Sequence, residues 1–116
     1  GSLIMRLGNL CTNGFYSPPN LLHMLLDNNV HDSTGAQFTV ASNINFLDIA
    51  KGCHYTNVVY AHDSNELDKE ILKWKKEQGL TLIYKRILKG SKPNLGRPKI
   101  KPFEVKERLK AFIHAH

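Results

Sequence analysis

Apolar positions follow two rhythms along this chain, and the switches between them lay out its elements. In residues 4–15, Ile4, Leu7, Leu10 and Cys11 recur at helical spacing with Arg6 and Asn9 opposite. Gly14 and then Ser17-Pro18-Pro19-Asn20 stop that run. Residues 21–26 form a continuous apolar stretch of strand length, interrupted only by His23, which reads as a core-edge side chain rather than a ligand. Phe38-Thr39-Val40 is strand-like but short. Ser42 or Asn43 is placed to cap a helix over residues 44–51, closed by Gly52. Residues 55–61 predict a second strand. Asp63 and Glu66 make a capping box for a helix that turns Leu67, Ile71 and Trp74 inward, carries Lys73, Lys75 and Lys76 near its end, and stops at Gly79. Residues 80–88 predict a third strand and residues 89–98 a loop of turn formers. Pro102 or Phe103 opens a last helix with Val105, Leu109, Phe112 and Ile113 one turn apart.

Helix–strand alternation predicts an α/β fold, a parallel sheet with helices on both faces. Three strands make a thin sheet, and the chain opens without a polar run-in. The expectation is that residues 1–116 are the carboxyl-terminal portion of a binding domain whose remaining strands lie upstream.

Composition changes this picture little. The chain has 116 residues, 41% hydrophobic and 22% charged, which supports one core. The net charge of +6 is concentrated late, with ten Lys and Arg against two Glu between Lys85 and Lys110. No aromatic residues interleave with those cations in a recognised motif, so the pattern reads as a solvated basic face and not as a nucleic-acid site. No run is long enough to span a membrane. Cys11 and Cys53 sit in unrelated contexts without metal-ligand spacing. They read as small buried hydrophobes, which suits a reducing, cytoplasmic setting.

Candidate chemistry concentrates where residues 21–26 give way to Asp27-Asn28-Asn29-Val30-His31-Asp32-Ser33-Thr34-Gly35. Open α/β sheets place ligands at the carboxyl ends of their strands. Asp27, Asn28, Asn29 and Asp32 offer hard oxygens of the kind Mg²⁺ or Ca²⁺ takes, although the spacing is not that of an EF-hand. The alternative is a capped turn in which these side chains bond their own backbone. His31, Asp32 and Ser33 are consecutive, so they cannot face one another as a hydrolytic triad.

These residues also carry a family resemblance. Gly1-Ser2-Leu3-Ile4-Met5, a helix, Pro19, an apolar strand and then Asp27-Asn28-Asn29 resemble the signature of thiamine-diphosphate-dependent enzymes, in which a Gly-Asp-Gly leads to a paired Asn-Asn. Gly1-Ser2 would follow the Asp of that motif, which lies outside this chain, and Asp27-Asn28 would hold the place of the asparagines. The stretch from Leu26 to Gln37, together with Leu95-Gly96-Arg97-Pro98, resembles the phosphonopyruvate decarboxylases; sulfopyruvate decarboxylase β subunits are similar but typically carry Tyr-Gly where this chain has His31-Asp32.

The resemblance implies decarboxylation of a 2-oxo acid, 3-phosphonopyruvate to phosphonoacetaldehyde and CO₂, with thiamine diphosphate and Mg²⁺ as cofactors. It implies Mg²⁺ ligation by the Asn28 side chain and the Val30 carbonyl, and diphosphate contacts from Gly1 and Ser2. His31 and Asp32 would take catalytic roles at the active-site mouth, and Arg97 would contact the substrate phosphonate. The glutamate that activates the cofactor would come from the pyrimidine-binding domain of a neighbouring subunit in a homo-oligomer, so the segment alone would be inactive. A sulfopyruvate decarboxylase β subunit, another thiamine-diphosphate 2-oxo acid enzyme, and a non-catalytic α/β interaction module remain the alternatives.

Overall fold

A strand buried on both faces organises the molecule. The computed structural model describes residues 1–90, 92–96 and 98–115. Its elements in chain order are α1 (Ser2–Met5), α2 (Asn9–Tyr16), β1 (Leu22–Asp27), β2 (Val30–His31), β3 (Gln37–Phe38), α3 (Phe46–Gly52), β4 (Asn57–Tyr60), α4 (Ser64–Glu77), β5 (Thr81–Arg86) and α5 (Pro102–His114). The last strand is central: β1, β5 and β4 form a parallel sheet in that order, with β2 and β3 as a separate antiparallel pair. Thr81, Leu82 and Ile83 are consecutive and all buried, as a strand covered on both faces requires. Leu82 joins Leu10, Ala50, Tyr55 and Leu80 in the core beside α2 and α3. Ile83 points to the opposite face, where α4 packs on β5. The fold class is α/β, as the alternation predicts.

The elements differ from expectation where local chemistry intervenes. The helix expected over residues 4–15 is two helices. Arg6 leaves the helical region at φ −133°, ψ 40°, and Gly8 becomes the N-cap of α2. Glycine weakens a helix interior by roughly 1 kcal/mol relative to alanine, and the break lets Leu3, Leu7 and Leu10 all reach one core. Neither Ser42 nor Asn43 caps α3. Val40–Asn43 winds into its own 3₁₀ turn capped by Thr39, and Asn45 caps α3, its Oδ1 accepting from the Asp48 N–H at 3.2 Å.

Asp63 caps α4 as read, its Oδ1 accepting from the Glu66 N–H at 2.8 Å, but the reciprocal half of the box is displaced by one residue, the Glu66 carboxylate accepting from the His62 N–H at 2.8 Å. Trp74 is half-buried at the far end of α4, donating its indole N–H to the Gly79 carbonyl at 2.9 Å. The cysteine reading fails. Cys11 is exposed, Cys53 is only partly buried, and their sulfurs lie 3.4 Å apart because α2 crosses the end of α3.

The outer edge of β1 has no strand partner among the described residues, and Met24 and Leu26 are exposed there. An open trough of about 480 Å³ runs along that edge beside α1. Helix α5 begins with Pro102 in its first turn and with Glu104 accepting from the Lys101 N–H, yet Phe103, Leu109 and Ile113 are all exposed. No helix among the described residues is long and apolar enough to cross a membrane.

Candidate functional site

Asp27 ends β1 and is 6% exposed, so its carboxylate must find partners inside the protein. Its Oδ1 accepts from the Asn29 N–H at 2.8 Å. Its Oδ2 accepts from the Tyr84 hydroxyl at 2.7 Å and from Arg86 Nη1 at 2.9 Å. The sheet supplies this geometry, because Arg86 pairs with Asp27 in the β1–β5 register and Tyr84 lies two residues earlier on the same face. Burial pushes the Asp27 carboxyl upward, but the Tyr84 hydroxyl, the Asn29 N–H and the Arg86 guanidinium together outweigh it and hold the group below its ordinary value. Tyr84 is displaced in the other direction, raised by burial and by its bond to that carboxylate.

Beyond Asp27 the chain reverses. Asn29 sits in the left-handed region at φ 61°, which asparagine tolerates better than most residues. Asn28 Oδ1 accepts from the Val30 N–H at 3.2 Å, and its Nδ2 donates to Asp32 Oδ2 at 2.7 Å. The capped-turn reading is therefore realised, and it orients an amide oxygen. The carbonyls of Asn29 and His31 accept from Thr39 and Ala36 at 3.0 and 2.9 Å. Successive carbonyls of an extended chain alternate in direction, so that of Val30 points away from β3.

Two distant segments meet this turn. The Gly90 N–H donates to Asp32 Oδ2 at 3.0 Å, tying the segment after β5 to the hairpin. Gly1, the N-cap of α1, packs on the His31 ring so closely that a Cβ there would lie 2.5 Å from Cε1.

A hard cation suits this turn. Among the described residues no three His, Cys, Asp or Glu side chains are grouped to hold a metal. What the turn offers are the amide oxygen of Asn28 and the carbonyl of Val30, hard oxygens of the type Mg²⁺ takes alongside phosphate and further donors. Asn29 Oδ1 adds a buried oxygen with no hydrogen-bond partner among the described residues, an unmet electrostatic demand in the same turn.

No protein-family profile matches the chain. Among curated proteins, it is 42% identical over 113 residues to the phosphonopyruvate decarboxylase of Streptomyces viridochromogenes, a match covering 97% of this chain and 28% of the relative. It is 41% identical over 112 residues to the enzyme of the same name from Streptomyces hygroscopicus, with the same coverage. The chain resembles the phosphonopyruvate decarboxylases. It spans 28% of the length of those two relatives. Sulfopyruvate decarboxylase subunit beta of Methanocaldococcus jannaschii is 38% identical over 71 residues, covering 60% of this chain and 37% of the relative.

The phosphonopyruvate decarboxylase likeness extends through nearly the whole segment, so sheet, hairpin and α5 share it. The structure brings Gly1, Asn28, Val30, His31 and Asp32 together at the carboxyl end of β1. Ser2 follows Gly1 as the exposed first residue of α1. Arg97 lies outside the described residues. Sequence reasoning missed Tyr84, Arg86 and Gly90. A cation and a phenol at alternate positions near the end of a central strand, facing an acid at the end of its neighbour, were the available signal.

Proposed function

We propose that this chain is the magnesium- and diphosphate-binding part of a thiamine-diphosphate-dependent decarboxylase that converts 3-phosphonopyruvate to phosphonoacetaldehyde and CO₂. The observation that carries the reading is the meeting of Gly1, Asn28, Val30 and His31 at one strand end, in a chain similar to phosphonopyruvate decarboxylases. Asn28 Oδ1 and the Val30 carbonyl would hold Mg²⁺, and the backbone N–H groups of Gly1 and Ser2, at the start of α1, would face the diphosphate. The cofactor, when bound, supplies the electron sink for loss of CO₂.

The chain's own residues bind, orient and shield. Asp32 is a positioning residue in this reading: through Oδ2 it holds the Asn28 amide and accepts from the Gly90 N–H. His31, partly buried and backed by Gly1, would hold or move a proton in this reading. Arg97 remains the proposed partner of the phosphonate. The open edge of β1 and the 28% coverage support further strands from a longer chain. A pyrimidine-binding domain from a neighbouring subunit of a homo-oligomer completes the proposed site.

The test uses the full protein that contains this segment. CO₂ release from phosphonopyruvate should require both thiamine diphosphate and Mg²⁺. Calorimetric titration gives a readout independent of turnover. Asn28→Ala should weaken Mg²⁺-dependent cofactor binding at least about tenfold, and residues 1–116 alone should bind weakly or not at all. Unchanged cofactor affinity in Asn28→Ala would refute the site, and turnover of sulfopyruvate alone would refute the substrate.

A further inference from the structure

The two cysteines play no part in the site above, and their arrangement has a chemistry of its own. Their sulfurs are 3.4 Å apart across 42 positions of sequence, and both thiols are free. The approach is built into the backbone. Gly14, one turn after Cys11 on α2, lies against the Cys53 carbonyl so tightly that a Cβ there would fall 1.7 Å from its oxygen. Cys53 is the C-cap of α3, its N–H donating to the Ile49 and Ala50 carbonyls, and His54 at φ 62° turns the chain away. A hollow of about 240 Å³ lined by Cys11, Gly14, Phe15, Gly52, Cys53 and His54 gives the sulfurs access to solvent. Closing a disulfide requires the sulfurs to move from 3.4 Å to about 2.0 Å apart.

We propose that Cys11 and Cys53 form a reversible dithiol site that low-molecular-weight disulfides oxidise to an intramolecular bridge, fastening α2 to the end of α3. The exposed Cys11 attacks first. Its thiolate displaces one thiolate from the small disulfide and leaves a mixed disulfide on Cys11. The Cys53 thiolate then attacks the Cys11 sulfur, forming the protein bridge and expelling the second small thiolate. The protein loses two electrons and two protons, and one small disulfide becomes two thiols. Burial raises the Cys53 thiol, which agrees with this order.

Oxidised glutathione added to the native, reduced full protein tests the proposal. Peptide mapping without reductant should recover a Cys11–Cys53 cross-link with a mass lower by two hydrogens, reversed by dithiothreitol. The oxidised protein should melt at a higher temperature, since the bridge closes a long loop of the unfolded chain. Cys53→Ser should instead accumulate a stable glutathione adduct on Cys11. The bridge should form faster in the native protein than in urea, where the sulfurs are no longer held together. Recovery of Cys11 and Cys53 unmodified, as separate adducts, or as a bridge between two molecules would overturn the proposal. So would a bridge that forms only after unfolding.

Discussion

Replacing Asp27 by asparagine keeps the shape of the buried side chain and removes its charge, which isolates what the carboxylate contributes. Asp27 accepts three hydrogen bonds, from Asn29, Tyr84 and Arg86. An amide can still accept at one position, but at the other it turns an NH₂ toward a donor. Hydrogen bonds to a charged group are worth about 1.5–3 kcal/mol each. The Arg86 side chain is 47% exposed, so its ion pair is discounted to the surface range of about 0–1 kcal/mol. The expected cost of Asp27→Asn is therefore about 2–4 kcal/mol, with Tyr84→Phe near 1–2 and Arg86→Met below about 1. Urea unfolding with an unchanged slope reads these differences directly.

Acid supplies the control. A carboxyl whose folded pKa lies below its unfolded value stabilises the fold above the ordinary carboxylate range, and that contribution is lost as pH falls through the folded value. The gap between wild type and Asp27→Asn should therefore be full near neutral pH and narrow as pH falls below the ordinary Asp value of about 4. A gap that stays constant over that fall in pH, or a cost well under about 1 kcal/mol, would refute the assignment of Asp27 as a charged anchor.

Two further outcomes follow from packing and burial. Gly14→Ala places a Cβ 1.7 Å from a backbone oxygen, with no flexible side chain to yield; thermal unfolding should show a loss of about 2–3 kcal/mol. His23 is half-buried, its Nδ1 is 3.0 Å from the Tyr55 hydroxyl, and burial lowers its pKa, so the fold prefers the neutral ring. Its contribution should be complete above about pH 6.5 and decline as pH falls toward the lowered value. That part of the stability–pH slope should vanish in His23→Gln, and a slope that persists unchanged would assign it to another group.

How much of this was legible in the sequence depended on whether the cause was local. The Asp63 cap of α4, the strand within residues 80–88 and the turn after β1 are set by residues within a few positions of one another, and each is found where the pattern places it. The helix break at Gly8 was legible in kind, since a glycine marks a weak point, but its use depends on a core assembled from distant segments. Asp27 shows the limit most clearly. In sequence it is one more acid in an oxygen-rich loop, as ligand-like as Asn28.

Its fate is decided by β5, some sixty positions later, where the parallel register sets Arg86 beside it and Tyr84 two residues before. With all three bonds made, Asp27 is the anchor that fixes the turn, and Asn28 is left to present its oxygen. The same reasoning separates the cysteines from their first reading. Neither has a motif, and no spacing rule joins positions 11 and 53; the absent side chain of Gly14 lets α2 settle on the end of α3 and brings the sulfurs together. In both cases the sequence holds the necessary residues, but the chemistry belongs to pairs that only the tertiary packing creates.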